Sequence, residues 1–149
     1  IDCILNNRIL IDADTLWHSD IILDLNTIYF SHEAYKFEEN QVEKYHLDKI
    51  FEKSFNNYIH YVTCLIYVPS KLWKVSHSDL LLKNFTRIFQ YFKSNNLENL
   101  LRISEEISIS ITIQQLFPQN LINTVKSTGN EFNREIYQPI YYGAKNNIL

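Results

Sequence analysis

Three of the five histidines are each followed two residues later by an aspartate, at His18/Asp20, His46/Asp48 and His77/Asp79. An imidazole oriented by a carboxylate is an acid–base pair, and both side chains are metal ligands. On a helix, however, positions i and i+2 point away from each other. An aspartate at a helix start instead answers the exposed N–H groups and the macrodipole. The 77–79 pair falls at a predicted helix start and the 46–48 pair inside a predicted helix, so terminus and surface roles are expected for both. His32-Glu33-Ala34-Tyr35-Lys36 opens like a zinc-protease helix, but Lys36 stands where that chemistry needs a second histidine. No metal ligand set and no cofactor site emerge.

Nucleophiles are equally sparse. Cys64 follows His60 by four residues inside the apolar run Val62–Ile66. At helical spacing an imidazole there would activate a thiolate, yet a cysteine in such a run is ordinarily an inert small hydrophobe. There is no Gly-x-Ser-x-Gly elbow. Asp12, Asp14, Asp20 and Asp24 lack the Glu-x-Lys partner of a metal-dependent nuclease and read as caps. With only two glycines in the chain, glycine-rich phosphate loops are excluded. No residue is assigned a catalytic role.

The feature best suited to contact is basic. Formal net charge is −3, but it is unevenly spread: residues 1–68 carry 5 Lys/Arg and 11 Asp/Glu, whereas 69–93 carry five cations against Asp79 alone. Lys71, Trp73, Lys74, Lys83 and Arg87 form the candidate binding set, cations interleaved with an aromatic that would meet an acidic peptide or a nucleic acid. The bland alternative is a solvated face with the Trp73 ring turned into the core. The acidic segment 12–24 is a second candidate contact surface.

These residues must be positioned by helices for the most part. Asn40-Gln41-Val42-Glu43 reads as a capping box. The apolar residues behind it, from Val42 to Ile66, keep helical spacing and stop before Pro69. Tyr58–Val68 is also rich in β-branched and aromatic residues and fits a buried strand. Ser76 or Ser78 would cap the next helix, with Leu80, Leu81, Phe85, Ile88, Phe89 and Phe92 following. Asn95-Asn96-Leu97-Glu98 repeats the capping pattern. Ile107–Ile113 alternates Ile with Ser or Thr, a strand signature in a helical neighbourhood, and is read as a fully buried helix. After Pro118 a short helix is expected over about 119–126. Asp14-Thr15 would cap a helix reaching Ile28 and Tyr29, and residues 4–11 read as a short strand or entry helix.

The fold expected is mainly α: a compact bundle of about five or six helices in one domain. A small β element from 4–11, 58–68 or 107–113 would make it α+β. Residues 131–149 read as a loosely ordered or docked tail. Ile1 and the absence of methionine point to an excised or processed chain. The many Ile, Asn, Tyr, Phe and Lys codons point to an AT-rich genome. No stretch of 18 apolar residues is present to span a membrane.

The leading functional expectation is a protein–protein interaction module, or a structural subunit of a larger assembly, without catalysis. It rests on the missing catalytic set, the few glycines and the ten tyrosines and two tryptophans, residue types enriched at interfaces. One alternative is a nucleic-acid-associated subunit using segment 71–87. Another is a secreted or host-directed protein with a Cys3–Cys64 disulfide and a glycan on the Asn84-Phe85-Thr86 sequon. The reduced, intracellular reading is preferred over the secreted one.

Overall fold

The computed structural model describes residues 8–11, 23–32, 45–55 and 58–126. The capping box at 40–43, the His18/Asp20 pair, Asp12, Asp14, Asp20, His32's side chain, Cys3 and the tail 131–149 lie outside what is described. Among the described residues the chain runs β1 (Leu10–Ile11), β2 (Ile28–His32), α1 (Leu47–Phe51), β3 (Val62–Tyr67), α2 (Val75–Ser94), α3 (Glu98–Leu101), α4 (Ser104–Leu116) and β4 (Ile122–Lys126). Helical residues outnumber strand residues more than twofold, so the architecture is mainly α with a small sheet. Among the described residues four helices stand where five or six were expected.

The sheet order is β1-β3-β2-β4; β3 is antiparallel to both β1 and β2, and β4 runs parallel to β2. Three expectations are corrected by it. The helix expected from Val42 to Ile66 stops at Phe51, and the chain re-forms as β3, the strand alternative for Tyr58–Val68. Its β-branched and aromatic residues favour a pleated surface over a helix. The helix expected to reach Tyr29 gives way to a turn in which the Asp24 carboxylate accepts the Asn26 N–H at 2.8 Å and the Thr27 hydroxyl at 3.3 Å; β2 follows. Those bonds, the Asn26 N–H foremost, hold the Asp24 carboxyl below the usual carboxylate range. The helix expected over 119–126 is a single 3-10 turn, Gln119–Leu121, followed by β4. There β2 offers an open ladder, and pairing along it satisfies the backbone that a short isolated helix would leave bare.

Faces follow the two-residue period of a strand. Ile28 and Phe30 enter one cluster with Ile66, Val68, Trp73, Ile113 and Ile122, while Tyr29, Leu65 and Tyr67 meet on the opposite face. Tyr61 and Ile66 share the first cluster although their parity differs. The register irregularity that moves β3's partner from Phe30↔Ile66 to Ser31↔Val62 makes this geometrically consistent.

Among the described elements, α4 contributes to both main core clusters. Ile109 and Ile113 face the sheet cluster, while Ile107 and Ile111 face α1 and α2 beside Leu47, Ile50, Ile88 and Phe92. Its alternation looks like a strand's, but in the helix the buried hydroxyls find acceptors by bonding back one turn. Thr112 Oγ1 donates to the Ser108 carbonyl at 2.7 Å, and Ser108 Oγ donates to that of Ser104. Each small polar residue is thereby satisfied without water.

α2 packs along α4 and ends in a Schellman motif. Asn96 takes the left-handed conformation (φ 55°), the Leu97 N–H reaches the Phe92 carbonyl at 2.9 Å and the Asn96 N–H reaches that of Lys93 at 3.3 Å. Asn95 and Asn96 thus close one helix rather than cap the next. α2 also begins earlier than expected, with Lys74 at the cap position in place of Ser76 or Ser78. The His77 ring nitrogen accepts the Lys74 N–H at 3.2 Å, which supplies the reciprocal half of a capping box.

Asn84 lies on the inner side of α2, buried, and its Nδ2 donates to Thr112 Oγ1 at 2.8 Å and to Gln115 Oε1 at 3.0 Å. A glycan at this sequon is incompatible with the packed α2–α4 interface. Asn84→Ala is expected to lower stability by about 1–2 kcal/mol, because a buried hydrogen-bonded amide is lost and its volume left empty. The urea unfolding midpoint measures it.

Candidate functional site

α2 is the longest helix described, and its outer side is not uniformly polar. Its inner side is set by Asn84, Ile88 and Phe92, all buried. Turned away from that side, Val75 is 75 % exposed, Leu82 59 % and Phe89 36 %. These three recur every seven residues, the spacing that keeps side chains in one row along a helix. Phe85, half-buried, stacks on Phe89 with ring centroids 5.6 Å apart and extends the row sideways. Scattered exposed apolar residues are ordinary on a protein surface, whereas these four are aligned along one helix.

The basic residues singled out from the sequence lie around this row without converging on one point. Lys83 and Arg87 are exposed one turn apart on the flank of α2 that meets α1, where the Arg87 guanidinium sits 5.2 Å from the Phe51 ring centroid. Lys74 is exposed at the helix start. Lys71 is exposed in the preceding 3-10 turn and donates to Asn26 Oδ1, tying that turn to the β2 approach. Trp73 is 6 % exposed; its ring lies in the core cluster beside Phe117, and its Nε1 donates to Ser78 Oγ at 2.8 Å. The tryptophan thus anchors the start of α2 from inside. In the sequence, Phe85 and Phe89 fall in one apolar run with Ile88 and Phe92, and Val75 and Leu82 lie outside it. The signal for the outer row was the seven-residue recurrence of 75, 82 and 89.

A second polar cluster joins α4 to the segment entering β3. Gln114, Ser110 and Glu106 follow one another at four-residue steps down α4 and hold the backbone of Ile59, Tyr61 and Thr63 in turn. Gln114 accepts the Ile59 N–H at 2.8 Å and donates to its carbonyl at 2.7 Å. Ser110 accepts the Tyr61 N–H at 2.9 Å, and Glu106 Oε2 accepts the Thr63 N–H at 3.3 Å and its hydroxyl at 3.2 Å. The match has a simple cause. Four helical residues rise about 6.0 Å and two extended residues about 6.6 Å, so a helix row and alternate strand residues run nearly in step.

His60 is buried within this cluster. Its Nε2 lies 2.8 Å from Glu106 Oε1 and its Nδ1 2.9 Å from the Tyr58 hydroxyl. Facing a carboxylate, Nε2 carries the hydrogen, whereas the phenol can donate to or accept from Nδ1. Burial pushes the Glu106 carboxyl up, but the bonds and charge of His60 and the bonds from Thr63 outweigh it and hold the group below the ordinary glutamate range. Burial pushes the Tyr58 phenol well above its ordinary value, which leaves it a weak acid. A cavity of about 440 Å³ adjoins Tyr58, lined also by Lys53, Ser54, Phe55, Ile111, Gln114 and Gln115. The Tyr58 hydroxyl and the Gln114 amide are engaged in the clip, and the Lys53 amine stands 4.9 Å over the Phe55 ring. The cluster's geometry is that of a strut.

The remaining histidine motifs have local roles. The His46 ring approaches the Tyr91 hydroxyl at 3.3 Å, while Asp48 accepts the Phe55 N–H at 3.0 Å and closes the loop after α1. His77 packs edge-on against Trp73 and Phe117. The helical His60/Cys64 spacing is lost, because Cys64 lies in β3, where four residues span about 13 Å. Among the described residues no three or more His, Cys, Asp or Glu side chains stand close enough to hold a metal ion. Nor is any described helix long and apolar enough to cross a membrane.

No family model, no curated protein and no solved structure matches this chain.

Proposed function

We propose that this chain is a protein–protein interaction module, or a structural subunit of a larger assembly, that docks through the outer row of α2 and has no catalytic activity of its own. The observation that carries the reading is the row itself: Val75, Leu82 and Phe89 at seven-residue spacing, exposed, with Phe85 stacked beside them. α2 is held rigidly, by the Trp73–Ser78 bond at its start, the Asn84 network at its middle and the Schellman motif at its end. A preorganised apolar row loses little entropy on docking. Aromatic and aliphatic anchors of this kind dominate interface energies, with Lys83, Arg87 and Lys74 acting as a basic rim that sets orientation and encounter rate.

The test is a pull-down from lysate at low and high salt with nuclease present, comparing the native chain with Leu82→Glu and Phe89→Glu. Protein partners that survive nuclease and salt and are lost with either variant are the expected result. Retention only through nucleic acid, abolished by salt and by a Lys71→Ala/Lys74→Ala pair but indifferent to Leu82→Glu, overturns the reading in favour of a nucleic-acid-associated subunit.

A further inference from the structure

The charges that border the α2 row have a symmetry that names its occupant. Assign Val75, Leu82 and Phe89 to position a of a heptad. Position d then holds Ser78, Phe85 and Phe92, and position e holds Asp79, Thr86 and Lys93. Of the g positions, Leu81 and Ile88 pack against the molecule's own body, and Lys74 is the exposed cap residue at the helix start. The e flank is thus the open side of the seam. It carries an acid and a base placed seven residues on either side of a neutral threonine, and Asp79, Thr86 and Lys93 are all exposed.

Such a flank is complementary to itself when two copies meet antiparallel. In antiparallel helix pairs a-position residues interleave with d-position residues of the partner helix, and e positions face e positions. With Phe89 set against Phe85 of a second copy, Leu82 lies at the level of that copy's Phe92, and Thr86 meets Thr86 beside the two-fold. Asp79 then faces Lys93, and the symmetry makes this pair twice. Lys83 and Arg87, at b and f, stay outside the seam, so the basic patch is not forced against itself. The contact is isologous and closes at two copies.

We propose that the occupant of this surface is a second copy of the same chain, docked α2 to α2 in an antiparallel two-fold pair. The inference rests on the docking reading given above. Two of the d positions, Ser78 and Phe92, are already engaged inward, so the seam is short. A total buried area below about 1,200 Å² belongs to the weak, reversible class of interface, and the expected behaviour is a monomer–dimer equilibrium in the micromolar range rather than an obligate dimer.

The experiment is sedimentation equilibrium of the full chain from low micromolar to submillimolar concentration, with circular dichroism confirming each variant is folded. The native chain is expected to rise from the mass of one chain toward two. Leu82→Glu stays monomeric. Asp79→Lys weakens association about tenfold, because two attractive pairs become two repulsive ones, and Asp79→Lys combined with Lys93→Asp restores it. Rescue by the double reversal is the signature of the two-fold register, since no heterologous partner would be recovered by it. A chain monomeric throughout overturns the self-pairing, as does a dimer indifferent to Leu82→Glu and to Asp79→Lys. If that monomer still loses its protein partners with Leu82→Glu, the docking reading stands alone; if it loses none, both fall.

Discussion

Glu106→Ala is expected to cost about 3 kcal/mol of folding stability, a large share of the ~5–15 kcal/mol typical of a domain. The substitution removes the acceptor of three donors on two residues at once. His60 Nε2–H is left facing a void, and the Thr63 N–H and hydroxyl lose their acceptor. The His60 donor is out of reach of bulk water, since its side chain is 7 % exposed. Glu106→Gln keeps the shape but replaces one carboxylate oxygen by an amide donor, so one of the two contacts becomes donor against donor; the expected loss is about 1–2 kcal/mol. Both are read from urea unfolding at neutral pH.

The same carboxylate predicts how stability follows pH. Its folded-state pKa lies below its unfolded value, so the folded form holds fewer protons in that window. The contribution is complete above the ordinary glutamate pKa near ~4.3 and is lost as pH falls through the lower folded value. A native chain compared with Glu106→Gln should therefore show a stability difference that is constant at neutral pH and shrinks on acidification below about pH 4. A difference that grew in acid would mean the carboxyl is held protonated in the fold and that the clip is not ionic.

How much of this was legible in the residues depends on the length scale of each signal. α2 and α4 were readable because their patterns are carried by neighbours three and four positions away. The Ile-Ser alternation of α4 read correctly as a buried helix, since hydroxyls at i and i−4 satisfy themselves along the helix. β2 and β4 were not readable in this way. Each is five residues long, and β4 becomes a strand only because β2, some ninety positions away, presents a ladder for it. The Gln114/Ser110/Glu106 clip was hidden for the same reason: glutamine, serine and glutamate on a helix read as a solvated face until an extended segment is laid beside them. The basic set separated into cations that stay outside and a tryptophan that goes inside, because an indole beside a helix start has both a core to fill and a hydroxyl to meet.

Two phenylalanines three residues apart on α2 make the sharpest contrast between frame and surface. Phe92 is fully buried among Leu47, Ile50, Ile88, Ile107 and Ile111. Phe92→Ala removes a ring from the point where α1, α2 and α4 meet, and the expected cost is about 3–5 kcal/mol, the range for emptying an aromatic site that cannot collapse. Phe89 is 36 % exposed and stacks on Phe85. Phe89→Ala should cost less, about 1–2 kcal/mol of stability, because over a third of the residue already faces water. Docking reverses the order. A ring that becomes fully covered at the centre of a contact is worth about 2 kcal/mol or more when truncated, roughly a thirtyfold loss in affinity. The pair is measured together: unfolding midpoints for both variants, and association of each with the docked partner under conditions where both remain folded. If Phe89→Ala instead lowered the midpoint as far as Phe92→Ala, the outer row would be part of the core, and the surface on which the functional reading stands would not exist.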